Sequence, residues 1–201
     1  MDITARQMEI IESAGKILTV SGVSGLTIKN LAKEMNFSES AIYRHFPSKE
    51  EIIITMLNYL ADSIDERLLN TINVSDNTEE KFKSLFRSQF NYFKNNPHFV
   101  VAVFSDGLLD ESLQINETIK KLMGVKTKHL MPIIIDGQKT GLFTSSVTSD
   151  ELINIVMGTF RMLLYKWRVD NFQFDMISKG EKMVNSILTI IKTNPQQKKN
   201  N

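Results

Sequence analysis

The stretch that decides the fold runs from residue 27 to residue 49 and reads TIKNLAKEMNFSESAIYRHFPSK. It holds two short segments of helical periodicity, which are separated by Asn36 and Phe37. Thr27 and Ser38 each stand where a helix would begin, and their hydroxyls are suited to accept a hydrogen bond from a backbone N–H of the first turn. Asparagine tolerates the left-handed backbone conformation of a tight turn better than most residues. The pattern therefore predicts two short helices joined by such a turn.

This arrangement is a helix-turn-helix, whose second helix can lie in the major groove of DNA. We place the motif at about residues 27–46. On the outer side of the second helix, Arg44 can read guanine or bind phosphate, and Ser40 is small enough to allow close approach. The other candidates for DNA contact are polar or basic: Thr27, Lys29, Ser38, Tyr43, His45 and Lys49. From spacing alone, two ordinary core helices fit the stretch equally well.

Charge adds little to this interpretation. The 201-residue chain has a net charge of +1, whereas a nucleic-acid-binding protein often carries a strong positive excess. Residues 27–49 hold four Lys or Arg residues and two Glu residues, which is a modest local excess of +2. Since binding needs a basic patch and not a basic chain, the composition permits DNA binding without indicating it.

Helical periodicity continues along nearly the whole chain, which has only four prolines. Gly- or Asn-containing segments separate the stretches. We predict an all-α protein with an N-terminal three-helix DNA-binding domain at residues 1–48, a larger C-terminal helical domain at 49–194 and a disordered tail at 195–201. The helices after the motif are predicted at about residues 48–69, 79–95, 97–108, 111–139 (kinked at Pro132), 150–169 and 175–192.

Several classes of protein are disfavoured. The chain has no cysteine, no apolar run of about 18 residues and no basic leader followed by an apolar core, so we expect a cytoplasmic protein without disulfides or membrane spans. His98 and His129 are far apart and have no paired ligand one turn away, which argues against a metal site. No nucleophile elbow or phosphate-binding loop is present. We expect neither an enzyme nor a bound cofactor.

The run Ile42-Tyr43-x-His45-Phe46-x-Ser48-Lys49 carries a resemblance to a known family. Together with Ile11–Gly15 and Thr27–Ala32, it resembles the N-terminal signature of the tetracycline-repressor (TetR) family, over about residues 5–60. The resemblance implies that Tyr43 and His45 contact phosphates, that Lys49 contacts the DNA backbone at the start of the fourth helix, and that residues 38–44 enter the groove. Asn36 stands where this family commonly has glycine.

The resemblance also implies a small-molecule pocket in the C-terminal domain. Phenylalanines recur there at helical spacing, and methionines add side chains that can repack around different shapes. Such stripes are more often plain core, and that alternative stays open. The candidate ligand-binding residues are Phe86, Phe90, Phe93, Phe104, Met123 and Phe160.

The resemblance further implies that two subunits pair through the last two long helices as a C2 four-helix bundle. Burial of these helices within one subunit is the alternative, but it would leave a wide apolar stripe unaccounted for. The apolar residues expected to form this bundle are Leu152, Ile155, Val156, Thr159, Phe160, Leu163, Leu164, Met183, Val184, Ile187, Leu188 and Ile191. We expect a dimeric transcriptional regulator that binds a palindromic operator and is released by a small apolar or aromatic effector. The resemblance implies that it acts as a repressor. A ligand-independent DNA-binding protein and a helical protein-interaction adaptor are the alternatives, and the roles of Trp167 and His98 are left open.

Overall fold

The computed structural model describes residues 3–104 and 112–193, and within them the fold is all-α, as predicted. The one pairing of extended backbone in this part of the chain is an isolated antiparallel bridge between Phe143 and Lys192. The predicted tail at 195–201 and the predicted helix end near residue 108 lie outside the described residues. The helices are α1 (Ala5–Gly25), α2 (Ile28–Glu34), α3 (Glu39–Tyr43), α4 (Lys49–Ile72), α5 (Thr78–Asn95), α6 (Pro97–Val103), α7 (Leu113–Lys139), α8 (Ser149–Val169) and α9 (Met176–Ile191).

Helix ends follow local side-chain chemistry. Thr4 begins α1 with a capping box, in which its hydroxyl accepts from Gln7 N and the Gln7 side chain accepts from Thr4 N. Thr148 and Glu151 form the same device at the start of α8. Gly22 interrupts α1 with a φ of 66°, a left-handed conformation that glycine adopts without steric cost. In contrast, α7 runs as one helix through Pro132.

One compact unit consists of Met1–Ile64 together with Asn96–Gly124. In it α1 packs on α6, and the contact depends on Gly15, because a Cβ there would lie 2.6 Å from Cδ2 of His98. His98 is half-buried against Phe99, with ring centroids 4.3 Å apart, and burial lowers the pKa of His98. His98 therefore has a packing role between α1 and α6.

The second compact unit consists of Asp65–Asn95 together with Val125–Asn201. Helices α5 and α9 pack closely here, since a Cβ on Gly180 would lie 2.5 Å from the Phe90 ring. Trp167 closes the turn between α8 and α9: its indole N–H donates to Phe174 O at 3.0 Å, and its ring meets Phe172 edge-on. These two units divide the chain differently from the boundary at residue 48, which stays a prediction.

Candidate functional site

The helix-turn-helix is built by the caps that the sequence predicted. Thr27 Oγ1 accepts from Asn30 N at 3.1 Å at the start of α2, and Ser38 Oγ accepts from Ala41 N at 3.2 Å at the start of α3. Between the helices, Asn36 has a φ of 54°, so the predicted left-handed turn is confirmed. Because of this turn, only four residues separate the end of α2 at Glu34 from the start of α3 at Glu39.

The two faces of α3 differ sharply. Ile42 and Phe46 are fully buried, and they fix the helix on the core of the first unit. Tyr43 is 51% exposed, and Arg44 and His45 beside it are also exposed. Hydroxyl, guanidinium and imidazole groups are thus exposed at the C-terminal end of α3 and in the two residues that follow it, a set of donors suited to phosphate oxygens and base edges.

The remaining predicted DNA-contact residues surround this end. Lys29 and Ser40 are exposed. The Ser38 and Ser40 hydroxyls lie 2.9 Å apart and form a hydrogen bond with each other. Lys49 opens α4 and is half-buried, and Ser48 Oγ before it accepts from Glu51 N at 3.1 Å. The end of α3 is also tied to α1, because Gln7 Nε2 donates to His45 O at 3.4 Å.

In the second unit, four of the six predicted ligand-binding residues come together. Phe86 and Phe90 lie 5.5 and 5.6 Å from the Phe160 ring, and Phe93 lies 6.4 Å from it, as measured between centroids. All four rings are buried. The other two predicted residues belong to the first unit, where Phe104 is buried and Met123 is 54% exposed.

Sequence reasoning missed a set of buried polar groups beside these rings. Lys126 is 7% exposed, and its ammonium lies over the faces of Phe160 and Phe93. Gln89 is 1% exposed, and Arg67 is half-buried. A signal was present in the sequence, because Lys126 falls one turn from both Leu122 and Leu130 on the apolar stripe of α7.

Ordinary ion pairs account for a neighbouring cluster. Asp65 accepts from Lys128 Nζ at 2.9 Å with both carboxylate oxygens, and His129 Nε2 lies 2.6 Å from one of them. These two partners hold the pKa of Asp65 below its usual range. Among the described residues, no group of three His, Cys, Asp or Glu side chains is placed to hold a metal ion, and no helix is long and apolar enough to cross a membrane.

Comparison with known proteins identifies the class. Residues 10–56 match the profile described as "Bacterial regulatory proteins, tetR family", and residues 56–191 match the profile described as "YsiA-like protein, C-terminal region". The chain therefore belongs to the TetR family of DNA-binding transcriptional regulators. Within that family, its C-terminal region is of the YsiA-like type.

Individual relatives are distant. The chain is 27% identical over 113 residues to the uncharacterized HTH-type transcriptional regulator YuxN of Bacillus subtilis, covering 56% of this chain and 39% of YuxN. It is 25% identical over 120 residues to the nucleoid occlusion factor SlmA of Vibrio campbellii, covering 59% and 61%. The chain thus spans less than two thirds of the length of these relatives. The fold is also that of the regulator FadR of Bacillus subtilis, solved with stearoyl-CoA, with a TM-score of 0.80, 18% identity and 92% and 98% of the two chains covered.

Proposed function

We propose that this protein is a repressor that binds a palindromic operator as a homodimer and releases it when a small apolar or aromatic effector binds. The observation that carries the proposal is the exposed end of α3, where Tyr43, Arg44 and His45 face solvent on a helix whose other face is buried. A twofold dimer would present two such helices to successive major grooves. An effector that binds better to the form without DNA would shift the population toward release.

Replacement of Arg44 by alanine tests the DNA contact. A bidentate contact between arginine and guanine contributes about 1–3 kcal/mol of discrimination, so we expect Arg44→Ala to weaken operator binding about 5- to 150-fold and to relax the preference over unrelated DNA. Fluorescence anisotropy with the DNA upstream of the protein's own gene, measured across a salt series, gives both quantities.

Two further variants separate this effect from a general loss of positive charge. Lys29→Ala should weaken binding to any DNA and reduce the salt slope by about 1. Lys16→Ala, on the exposed side of α1, should leave both quantities unchanged. Binding that is equal on all DNA and insensitive to Arg44→Ala would instead favour a protein-interaction adaptor.

Solvent exposure along the last two helices supports one surface for a second subunit. Many of the apolar residues expected to form the dimer bundle, such as Val156, Phe160 and Leu188, are buried within the chain itself. Part of α8 faces solvent, and we name it the α8 stripe: Ile155 and Thr159 from the predicted set, together with Gly158, Met162, Tyr165 and Val169. Its members recur every three or four residues, as helix-helix packing requires. The small residues at its centre would allow a partner helix to approach closely, since a Cβ on Gly158 would meet no atom within 4 Å.

A charge in the middle of the α8 stripe should dissociate the dimer. We expect Met162→Glu to be monomeric at concentrations at which the wild type is dimeric, because two glutamates would be buried against each other across a twofold axis. Sedimentation velocity measures the change. Val74→Glu is the matched control, since Val74 is 84% exposed and lies outside the stripe. Equal masses for the wild type and Met162→Glu would place the dimer interface elsewhere.

The chemistry of the effector is inferred from the second unit and from relatives. The rings of Phe86, Phe90, Phe93 and Phe160 offer an apolar environment. Because FadR of Bacillus subtilis was solved with stearoyl-CoA, acyl compounds come first among the apolar candidates to test. Loss of operator binding on addition of such a compound would support effector control.

A ligand-independent DNA-binding protein is the second candidate function. It is favoured by the close packing of the phenylalanine rings and by the likeness to a nucleoid occlusion factor. This second function would be supported if no apolar compound changed operator binding and none stabilised the protein.

A further inference from the structure

Lys126 is buried in the second unit, and no carboxylate among the described residues forms an ion pair with it. Lys126 Nζ lies 4.5 Å from the centroid of the Phe160 ring and 5.2 Å from that of Phe93. Ring faces attract a cation, but they neutralise none of its charge. Asp65 in the same unit pairs instead with Lys128, two residues further along α7.

A second cation, the half-buried Arg67, is also incompletely hydrogen-bonded. The Arg67 guanidinium lies 3.8 Å above the Tyr92 ring, and its Nη1 reaches Ser88 O and Oγ at 3.4 and 3.5 Å. Its Nε and Nη2 are buried and have no hydrogen-bond partner among the described residues. These two nitrogens form one edge of the guanidinium, and such an edge binds both oxygens of a carboxylate.

Gln89 places a third unsatisfied group on the same stretch of α5. Both atoms of its buried amide are without a hydrogen-bond partner in the described part of the chain. Ser88 and Tyr92 contact Arg67, whereas Phe93 contacts Lys126. Gln89 stands beside Ser88 and one turn before Phe93, so all three polar groups converge on two turns of one helix.

The electrostatics of the cluster also favour the binding of an anion. Burial lowers the pKa of Lys126 to about 7, and the like charge of Arg67 acts in the same direction. Burial also lowers the pKa of Arg67. A buried cation without a counter-charge destabilises a fold, whereas a bound anion would satisfy the donors and offset this cost.

We propose that Lys126, Arg67 and Gln89 form the binding site for the carboxylate of an organic acid, whose apolar part packs on the phenylalanine cluster of Phe86, Phe90, Phe93 and Phe160. Arg67 binds both carboxylate oxygens through Nε and Nη2, Lys126 supplies a second positive charge, and the Gln89 amide donates a hydrogen bond. The inference rests on the proposed function, because this acid is the effector. It narrows the effector from an apolar compound to an amphiphilic anion.

The test is calorimetric titration of the 201-residue chain with paired compounds. Each member of a series of straight-chain carboxylates from butyrate to palmitate, and phenylacetate, is compared with the corresponding alcohol and phosphate ester. We expect at least one carboxylate to bind at least tenfold more tightly than the corresponding alcohol and the corresponding phosphate ester. In Lys126→Met and in Arg67→Met, that carboxylate should lose at least tenfold in affinity, whereas the alcohol should bind as before. Lys128→Met, which removes an exposed lysine of the same helix, should change neither.

Each other result overturns the proposal. If no carboxylate is preferred over its alcohol, or if the variants weaken both to the same degree, the cluster is not an anion site. A phosphate ester that binds more tightly than the carboxylate would overturn the assignment of the bound group. Operator binding by ligand-free wild type and Lys126→Met is measured in parallel. Its absence in both proteins would contradict the proposed regulator function and leave the carboxylate result to stand by itself.

Discussion

Lys126→Met should unfold at a higher temperature than the wild type at pH 7. Methionine keeps the apolar stem that packs on Phe93 and Phe160 and fills irregular space well, while it removes a buried charge that has no partner. The wild-type lysine has its pKa lowered from 10.5 to about 7 in the folded chain. Near pH 7 the folded chain therefore binds fewer protons at this site than the unfolded chain. This difference lowers the free energy of unfolding of the wild type.

The sign and the pH range follow from this shift. Between about pH 7 and pH 10 the unfolded chain binds more protons at this site than the folded one, so the wild type gains stability as the pH rises. One pKa unit corresponds to about 1.4 kcal/mol, so the advantage of the methionine variant should shrink by about 3 kcal/mol across that range. Denaturant unfolding at pH 7, 8.5 and 10 measures the difference between the two proteins.

Lys128→Met provides the control for this experiment. Lys128 is exposed and pairs with Asp65 at the surface, so its loss should change the free energy of unfolding by about 1 kcal/mol or less. A Lys126→Met protein that is less stable than the wild type at pH 7 would show that the contacts of the ammonium with the two rings outweigh its burial. That result would contradict the prediction.

Gly137→Ala should destabilise the protein strongly although it improves helix propensity. A Cβ at position 137 of α7 would lie 2.0 Å from Cδ2 of Phe143, far inside van der Waals contact. The Phe143 ring is fully buried and packs edge-on against Phe82, so it has little room to move. Overpacking of this kind costs about 1–3 kcal/mol and sometimes more, against a propensity gain of about 1 kcal/mol. We expect a net loss of about 2 kcal/mol in the free energy of unfolding.

Another glycine on the same helix supplies the opposite expectation. Gly124 is exposed, and a Cβ there would meet no atom within 4 Å. Gly124→Ala should therefore raise the stability by about 0.5–1 kcal/mol through helix propensity alone. Urea denaturation of both variants checks the pair. Similar stabilities for the two would mean that the loop holding Phe143 adjusts freely.

The sequence predicted the DNA-binding module almost residue by residue because its boundaries depend on neighbours in the chain. Thr27 and Ser38 cap α2 and α3 as expected, and Asn36 adopts the left-handed turn. A cap or a turn needs only a few adjacent residues, so its chemistry can be read from the sequence. The aromatic side of α5 was likewise evident, since Phe82, Phe86, Phe90 and Phe93 are spaced by one turn and are buried.

Features that depend on contacts between residues far apart in the sequence were harder to predict. Lys126 lies on the apolar side of α7 and Met123 on its exposed side, although residue type suggested the reverse. Likewise, apolar composition did not divide α8 into the buried side with Val156 and Phe160 and the exposed α8 stripe. In each case the partner helix decides which flank of an apolar stripe is covered, and one helix does not contain that information.

The α3 residues and the α8 stripe belong to different compact units, and this division has a genetic consequence. A copy of the protein that carries Arg44→Ala keeps the α8 stripe and should still pair with an intact copy. In a cell that makes both proteins, only a minority of dimers would have two competent recognition helices, so an Arg44 allele should be dominant over the wild-type allele. If the α8 stripe forms the proposed dimer interface, a Met162→Glu protein should not pair and should leave the intact copies to assemble with each other, so its allele should be recessive.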